Sequence, residues 1–161
     1  MAISSLVNVL TGAEAPASSA SYLVDATAAT LTVTQALHDG KCILMDKSGG
    51  IAFTLPAATG TGMRLRFVVK TVSTTGYTLA ATPTTDIFKG NILTNSTTET
   101  PDLAQPWPTS TNSNLITLNG TTTGGVSVGD WVTLTDIASG VWAVDGLVTA
   151  SGTEATPFSH V

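Results

Sequence analysis

Positive charge is scarce in this sequence and confined to one part of it. Six lysines and arginines stand against eleven acidic residues, for a formal net charge of -5. Proteins that hold nucleic acid by its phosphates present a net basic face, so that class is excluded for the chain as a whole. Cysteine occurs once, at Cys42, which rules out an intrachain disulfide and with it a disulfide-framed scaffold. Histidine occurs twice, at His38 and His160, far apart in the chain. Neither zinc-ligand spacing nor a calcium-loop pattern occurs, so no metal site and no cofactor is expected. No run approaches the roughly 20 apolar residues of a membrane-crossing helix. Residues 1–10 carry no positive charge ahead of their short apolar stretch, unlike a secretory leader. The expectation is a protein made in the cytoplasm that binds neither membrane nor nucleic acid.

What replaces charge is hydroxyl. The chain holds 30 Thr and 14 Ser, while charged residues make up only 11%, less than half the usual share of about 25%. Threonine is β-branched and favours extended backbone. The composition therefore argues for an all-β protein and against a helical bundle or a nucleotide-binding α/β fold. Cys42 lies in the apolar run Cys42-Ile43-Leu44-Met45, which makes it a buried small hydrophobe rather than a nucleophile.

The chain divides near residue 20. Residues 1–20 read as an extended N-terminal arm, because residues 13–21 are too poor in bulky groups to pack a core. Its apolar residues Ile3, Leu6, Val7, Val9 and Leu10 suit docking on a neighbour. A short helix from Ser4 or Ser5 to Leu10 is the alternative. Residues 21–161 read as a single β-domain, expected to be an antiparallel β-sandwich or jelly-roll-like fold. Leu31-Thr32-Val33-Thr34 and Ile51-Ala52-Phe53-Thr54-Leu55 alternate apolar and polar, as half-buried strands do. Lys41 to Asp46 reads as a buried strand that pairs with 51–55 as a hairpin across Lys47-Ser48-Gly49-Gly50. Val141-Trp142-Ala143-Val144 and Leu147-Val148-Thr149 are expected to form a second hairpin across Asp145-Gly146. Residues 94–114, rich in Thr, Asn and Pro, read as a long loop anchored by Trp107.

Chemistry-bearing patterns are few. From Met63 to Lys70 the odd positions are apolar, which places Arg64, Arg66 and Lys70 on the other face of one strand. Residues 41–89 hold all six bases and two acids, a net +4, whereas residues 90–161 hold six acids and no base. The two parts could be complementary within the fold or between copies, and a homo-oligomer, a trimer first, is the expectation. Gly60-Thr61-Gly62 resembles the start of a dinucleotide fingerprint, but no third glycine follows and a strand comes where a helix is needed, so it reads as a turn. Asp136 and Asp145 could form a carboxylate pair, yet capping of turns is the favoured role. No catalytic residue is assigned, and the chain is not expected to be an enzyme.

Three segments carry a resemblance. They are Ile51-Ala52-Phe53-Thr54-Leu55-Pro56-Ala57-Ala58-Thr59-Gly60-Thr61-Gly62, Leu115 through Gly125 with its Asn119-Gly120-Thr121-Thr122-Thr123 core, and the ending from Trp142 through Gly152-Thr153-Glu154-Ala155-Thr156-Pro157-Phe158-Ser159. Together they resemble small virion proteins of tailed bacteriophages, which are head-decoration, cement or generic structural proteins. The likeness runs over roughly residues 30–160 in order of motifs and does not extend to residues 1–29 or 90–113. It implies a protein on the capsid exterior of a virion, bound across neighbouring major capsid subunits and stabilising them. The first motif is also in the style of phage fibre segments. A tail-fibre or adhesin domain that binds a host surface glycan is therefore the alternative, with Trp107, Trp131 and Trp142 as the aromatic candidates.

Overall fold

Strand-forming alternation organises nearly the whole computed structural model, which describes residues 21–98 and 104–161. The first six strands run β1 (Leu23–Ala26), β2 (Thr30–Thr32), β3 (Lys41–Met45), β4 (Ile51–Thr54), β5 (Arg64–Val69) and β6 (Tyr77–Ala80). Helix among the described residues is limited to the turn α1 (Gln35–His38). The second half adds β7 (Ile87–Ser96), β8 (Ala104–Pro108), β9 (Leu115–Leu118), β10 (Trp131–Ala138), β11 (Val141–Ala150) and β12 (Phe158–Ser159). They form a seven-stranded sheet, β1-β3-β5-β10-β11-β7-β8, packed on a five-stranded sheet, β12-β9-β6-β4-β2. The all-β sandwich expected from composition is the observed architecture.

Strand direction departs from the antiparallel expectation. Successive strands from β1 to β6 alternate between the two sheets, so neighbours within a sheet run the same way. The pairs β1–β3 and β3–β5 are parallel in the larger sheet, as are β2–β4 and β4–β6 in the smaller. The chain thus winds three laps around one core, and only then do antiparallel pairings enter, at β5–β10, β10–β11, β6–β9, β9–β12 and β7–β8, while β7 joins β11 in parallel. The physical reason is burial. Residues 41–45 and 51–54 each carry an apolar face, and the two faces lie opposite each other across the core. The expected hairpin between them is instead an arch from one sheet to the other.

Two further expectations are corrected. Asp145-Gly146 is not a turn but the middle of the ten-residue strand β11. Gly146 is required there by contact: a Cβ would stand 2.9 Å from the Trp131 carbonyl oxygen and 3.2 Å from Ile92 Cγ1. The hairpin lies further back, between β10 and β11, where Gly140 takes a φ of 75°. Residues 94–114 are not one loop, since β7 continues to Ser96 and β8 pairs with it antiparallel from Ala104 to Pro108. The proposed arm, residues 1–20, lies outside the described residues.

One core runs between the sheets. Leu65, Phe67 and Val69 of β5 are fully buried, as the alternation demanded. Phe67 meets Phe53 of the opposite sheet edge-on, with ring centroids 5.0 Å apart, a favoured aromatic geometry. Trp142, Phe88 and Ile92 extend the core beneath β11 and β7. Full burial of each large side chain contributes roughly 1.5–3 kcal/mol.

Candidate interaction surface

The chain compensates for its lack of charge by tying its connections with side-chain-to-backbone hydrogen bonds. The loop between β4 and β5 shows how. Asp136 Oδ2 accepts from the Thr59 amide at 3.1 Å, the Thr61 amide at 2.9 Å and the Thr61 hydroxyl at 2.8 Å. Its Oδ1 accepts from the Gly60 amide at 2.7 Å. Gly60 has a φ of 78°, which lets the backbone curl its amides around the carboxylate. Asp86 Oδ2 accepts from the Ala58 amide at 2.7 Å. Burial pushes the Asp136 carboxyl up, but the bonds from Thr61, Gly60 and Thr59 together outweigh it and hold the group below its ordinary value. The segment from Ile51 to Gly62 is therefore a clasped arch between the sheets.

The second motif closes on itself. Asn119 Oδ1 accepts from the amides of Thr121 and Thr123, and its Nδ2 donates to the Thr122 hydroxyl. Nearby, Asp130 Oδ2 accepts from the amides of Gly125, Ser127 and Thr149, while Oδ1 takes the Thr149 hydroxyl. Burial dominates here and raises the Asp130 carboxyl despite those bonds. Asn114 binds the main chain of Val161 in both directions and donates to the Thr84 carbonyl, which fastens the C-terminal residue.

These contacts decide several residues singled out in the sequence. Asp136 and Asp145 do not form a pair. Asp136 is opposite Trp142 and buried, whereas Asp145 is opposite Thr133 and exposed. Gly60-Thr61-Gly62 is the expected turn. Cys42 is buried, and desolvation raises its thiol pKa against the pull of Arg66. His38 is buried with its Nδ1 3.0 Å from the Thr34 amide nitrogen and 3.1 Å from the Thr34 carbonyl oxygen, while His160 is exposed. Trp142 is fully buried, Trp107 packs partly against the core, and Trp131 lies on the outer face beneath the Arg66 guanidinium, 4.2 Å from the ring centroid. No group of three or more His, Cys, Asp or Glu able to hold a metal occurs among the described residues. No helix there is long and apolar enough to cross a membrane.

The three expected cations do share the outer side of β5, but they differ in role. Lys70 is taken up by Asp25 and Asp46, each 2.9 Å away, and so links the ends of three parallel strands. The Thr71 hydroxyl bond and Lys70 hold Asp46 below its ordinary pKa. Arg64 and Arg66 line a shallow cleft with Tyr22, Gly40, Lys41 and Thr133. Among the acids in residues 90–161, Asp130 and Asp136 are spent on backbone amides, whereas Asp145 is exposed on the same face as Arg66.

The outer face of the large sheet holds a feature that no single strand reveals. Residues directly opposite in a ladder point to the same side. Leu44 is opposite Val68, Val68 opposite Trp131, Trp131 opposite Leu147, Leu147 opposite Leu93, and Leu93 opposite Pro106. Six strands thus contribute six apolar residues to one unbroken row on the solvent side. Leu93 and Leu147 are 42% and 38% exposed. Five steps of about 4.8 Å make the row roughly 24 Å long. The next row is mostly polar, with Arg66, Thr133, Asp145 and Asn91 in register. An apolar centre with a polar rim is the anatomy of a protein interface. Strand parity signals it, since Leu93 and Leu147 fall on the polar parity of their strands, but only after those strands are known to extend through 87–96 and 141–150.

Compared with known proteins, the chain matches no protein-family model and no curated protein.

Proposed function

We propose that this protein is a structural component of a phage virion, with an adhesive rather than a catalytic role. It decorates the capsid exterior and binds across neighbouring major capsid subunits, so that they resist being parted. The observation that carries the reading is the in-register apolar row on the outer face of the large sheet. Six strands averaging about seven residues, or about 24 Å, across a row of about 24 Å describe a face of roughly 600 Å², of the order of the ~800 Å² that each partner contributes to a standard interface. A solvated monomer gains nothing from such a row, because exposed apolar surface costs about 25 cal/mol per Å² relative to burial. Many copies on one particle multiply a modest contact into strong retention. The motif resemblance to small phage virion proteins points the same way, and the loops clasped by Asp136 and Asp130 supply rigidity with few charges.

The test uses two exposed positions whose substitution spares the core. Leu93→Glu and Leu147→Glu should leave the unfolding free energy measured in urea within about 0.5 kcal/mol of the parent, as surface changes do. Each should lower occupancy on capsids assembled without the protein at least tenfold at limiting concentration. Mass spectrometry of purified particles provides the prior check, and absence of the protein from intact virions would overturn the reading. Light scattering of the free protein addresses the expected homo-oligomer: a trimer that survives both substitutions would place the subunit contact elsewhere than this face.

A further inference from the structure

Beside the apolar row, the outer face of the large sheet carries the shallow cleft that Arg64 and Arg66 share with Tyr22, Gly40, Lys41 and Thr133. Its volume is about 360 Å³, inside the range of small-molecule sites, about 300–1,000 Å³. Every lining residue except Gly40 has a side chain that donates hydrogen bonds, and none has a carboxylate. Arg64 and Arg66 are two positions apart on β5, so they point to the same side with Cα atoms about 7 Å apart. Thr133 is directly opposite Arg66 in the ladder. The Arg66 guanidinium is stacked over Trp131, which occupies its face and leaves its N–H edge to bond in plane. Lys41 Nζ donates to the Ser21 carbonyl at 2.9 Å, which keeps its charge at the cleft.

Two observations point to a ligand. Among the described residues the ion pairs belong to Lys70, and neither Arg64 nor Arg66 has a carboxylate within ion-pair distance. Asp39 is close by but spends Oδ1 on the Arg64 amide at 3.0 Å, and Asp145 stands one strand beyond Thr133. Thr133 is the second observation. It is only 5% exposed, and its hydroxyl has no hydrogen-bond partner among the described residues. That hydroxyl is not sealed in, because it keeps accessible surface where Thr133 lines the cleft. The site therefore offers two guanidinium charges and a fixed hydroxyl, and it calls for an anion rich in acceptors. We propose that this cleft binds a phosphate group. A phosphate ester brings about 1.5 to 2 negative charges and three strong acceptor oxygens, one each for Arg64, Arg66 and Thr133. A carboxylate has two oxygens and one charge, and a neutral sugar leaves both guanidinium charges uncompensated. The inference needs neither the apolar row nor the capsid reading.

The test titrates the isotope-labelled full chain by heteronuclear NMR with inorganic phosphate and with glycerol phosphate. It is run at about pH 7.5, where both are mostly dianionic, with chloride holding the ionic strength constant. Saturable shifts at Arg64, Arg66 and Thr133 are expected for at least one of the two, with a Kd of about 1 mM or tighter. Tighter binding of glycerol phosphate assigns the site to a phosphate ester, and tighter binding of inorganic phosphate assigns it to the free ion. Arg64→Gln and Arg66→Gln should each weaken binding about tenfold. Thr133→Val keeps the shape, removes the hydroxyl and should weaken it about three- to tenfold. Circular dichroism checks that the variants are folded, and Arg64→Gln and Thr133→Val carry the test if loss of the stack on Trp131 unfolds Arg66→Gln. Acetate and succinate serve as carboxylate controls. Shifts that follow ionic strength without saturating overturn the proposal. So does binding that the folded variants leave unchanged, or tighter binding of acetate or succinate than of either phosphate.

Discussion

The clasp at Asp136 makes the sharpest test of how this charge-poor fold is stabilised. Replacing the carboxylate with an amide, Asp136→Asn, keeps its size and one oxygen. If that oxygen takes the place of Oδ2, it can still accept from Thr59 and Thr61. The amide nitrogen then faces the Gly60 N–H, which now sits 2.7 Å from an acceptor. That donor is stranded, at about 1–3 kcal/mol, and the remaining bonds lose their charge assistance, which is about half their strength. The expected loss is about 3 kcal/mol. The arch does not detach altogether, because Asp86 still holds the Ala58 amide and Gly62 still donates to the Asp136 carbonyl. Asp136→Ala should therefore cost only modestly more, about 4 kcal/mol, since a freed loop can hydrate its amides. In urea, with an m-value of about 2 kcal/mol/M, the amide variant should lower the midpoint by about 1.5 M with m unchanged. The pH dependence supplies a second reading. The folded pKa of Asp136 is depressed, so the unfolded chain holds more protons and stability rises with pH through the window between the two pKa values. The gap between parent and Asp136→Asn should be full above about pH 4 and shrink as pH falls through the lowered folded pKa. Unfolding free energies within about 0.5 kcal/mol of the parent for both variants, or a gap that widens in acid, would refute the clasp argument.

Asp130 should behave with the opposite sign. Burial raises its folded pKa, so the folded chain holds the extra proton and the Asp130 contribution is lost as pH rises through that value; the penalty of Asp130→Asn in urea titrations should fall from acid towards neutral pH. Gly146→Ala places a methyl 2.9 Å from the Trp131 carbonyl oxygen inside the sheet, and overpacking of about 1–3 kcal/mol should appear as a lower thermal midpoint. Gly129→Ala, where a Cβ meets nothing within 4 Å but φ is 97°, should show only the cost of the left-handed backbone, about 1 kcal/mol. Asn114→Ala removes the bonds to the Thr84 carbonyl and to both main-chain groups of Val161; both residues are exposed and their groups can turn to water, so hydrogen exchange at Val161 should accelerate while stability falls by about 1 kcal/mol.

Local rules made much of this protein legible from its residues. Alternation at Leu31-Thr32-Val33, at Ile51 to Leu55 and at Met63 to Val69 assigned both the strand and its buried face, because side chains along a strand point to opposite sides whatever lies beside it. The scarcity of bases, the single Cys42 and the two distant histidines bounded the chemistry for the same reason: they are counts and spacings, independent of folding. Partnership and direction were not legible. Nothing in residues 41–54 distinguishes a hairpin from an arch, since both present an apolar face after a glycine turn, and the choice rests on which faces meet across the core. Asp145-Gly146 has the residues of a turn, yet its place between Val132 and Ile92 turns the missing side chain into a packing requirement. The outer apolar row is assembled from Leu44, Val68, Trp131, Leu147, Leu93 and Pro106, spread over more than one hundred positions of sequence. It exists only because ladder register aligns six strands. Register and edge placement are set by free energies summed over the whole core, so only the tertiary structure decided them.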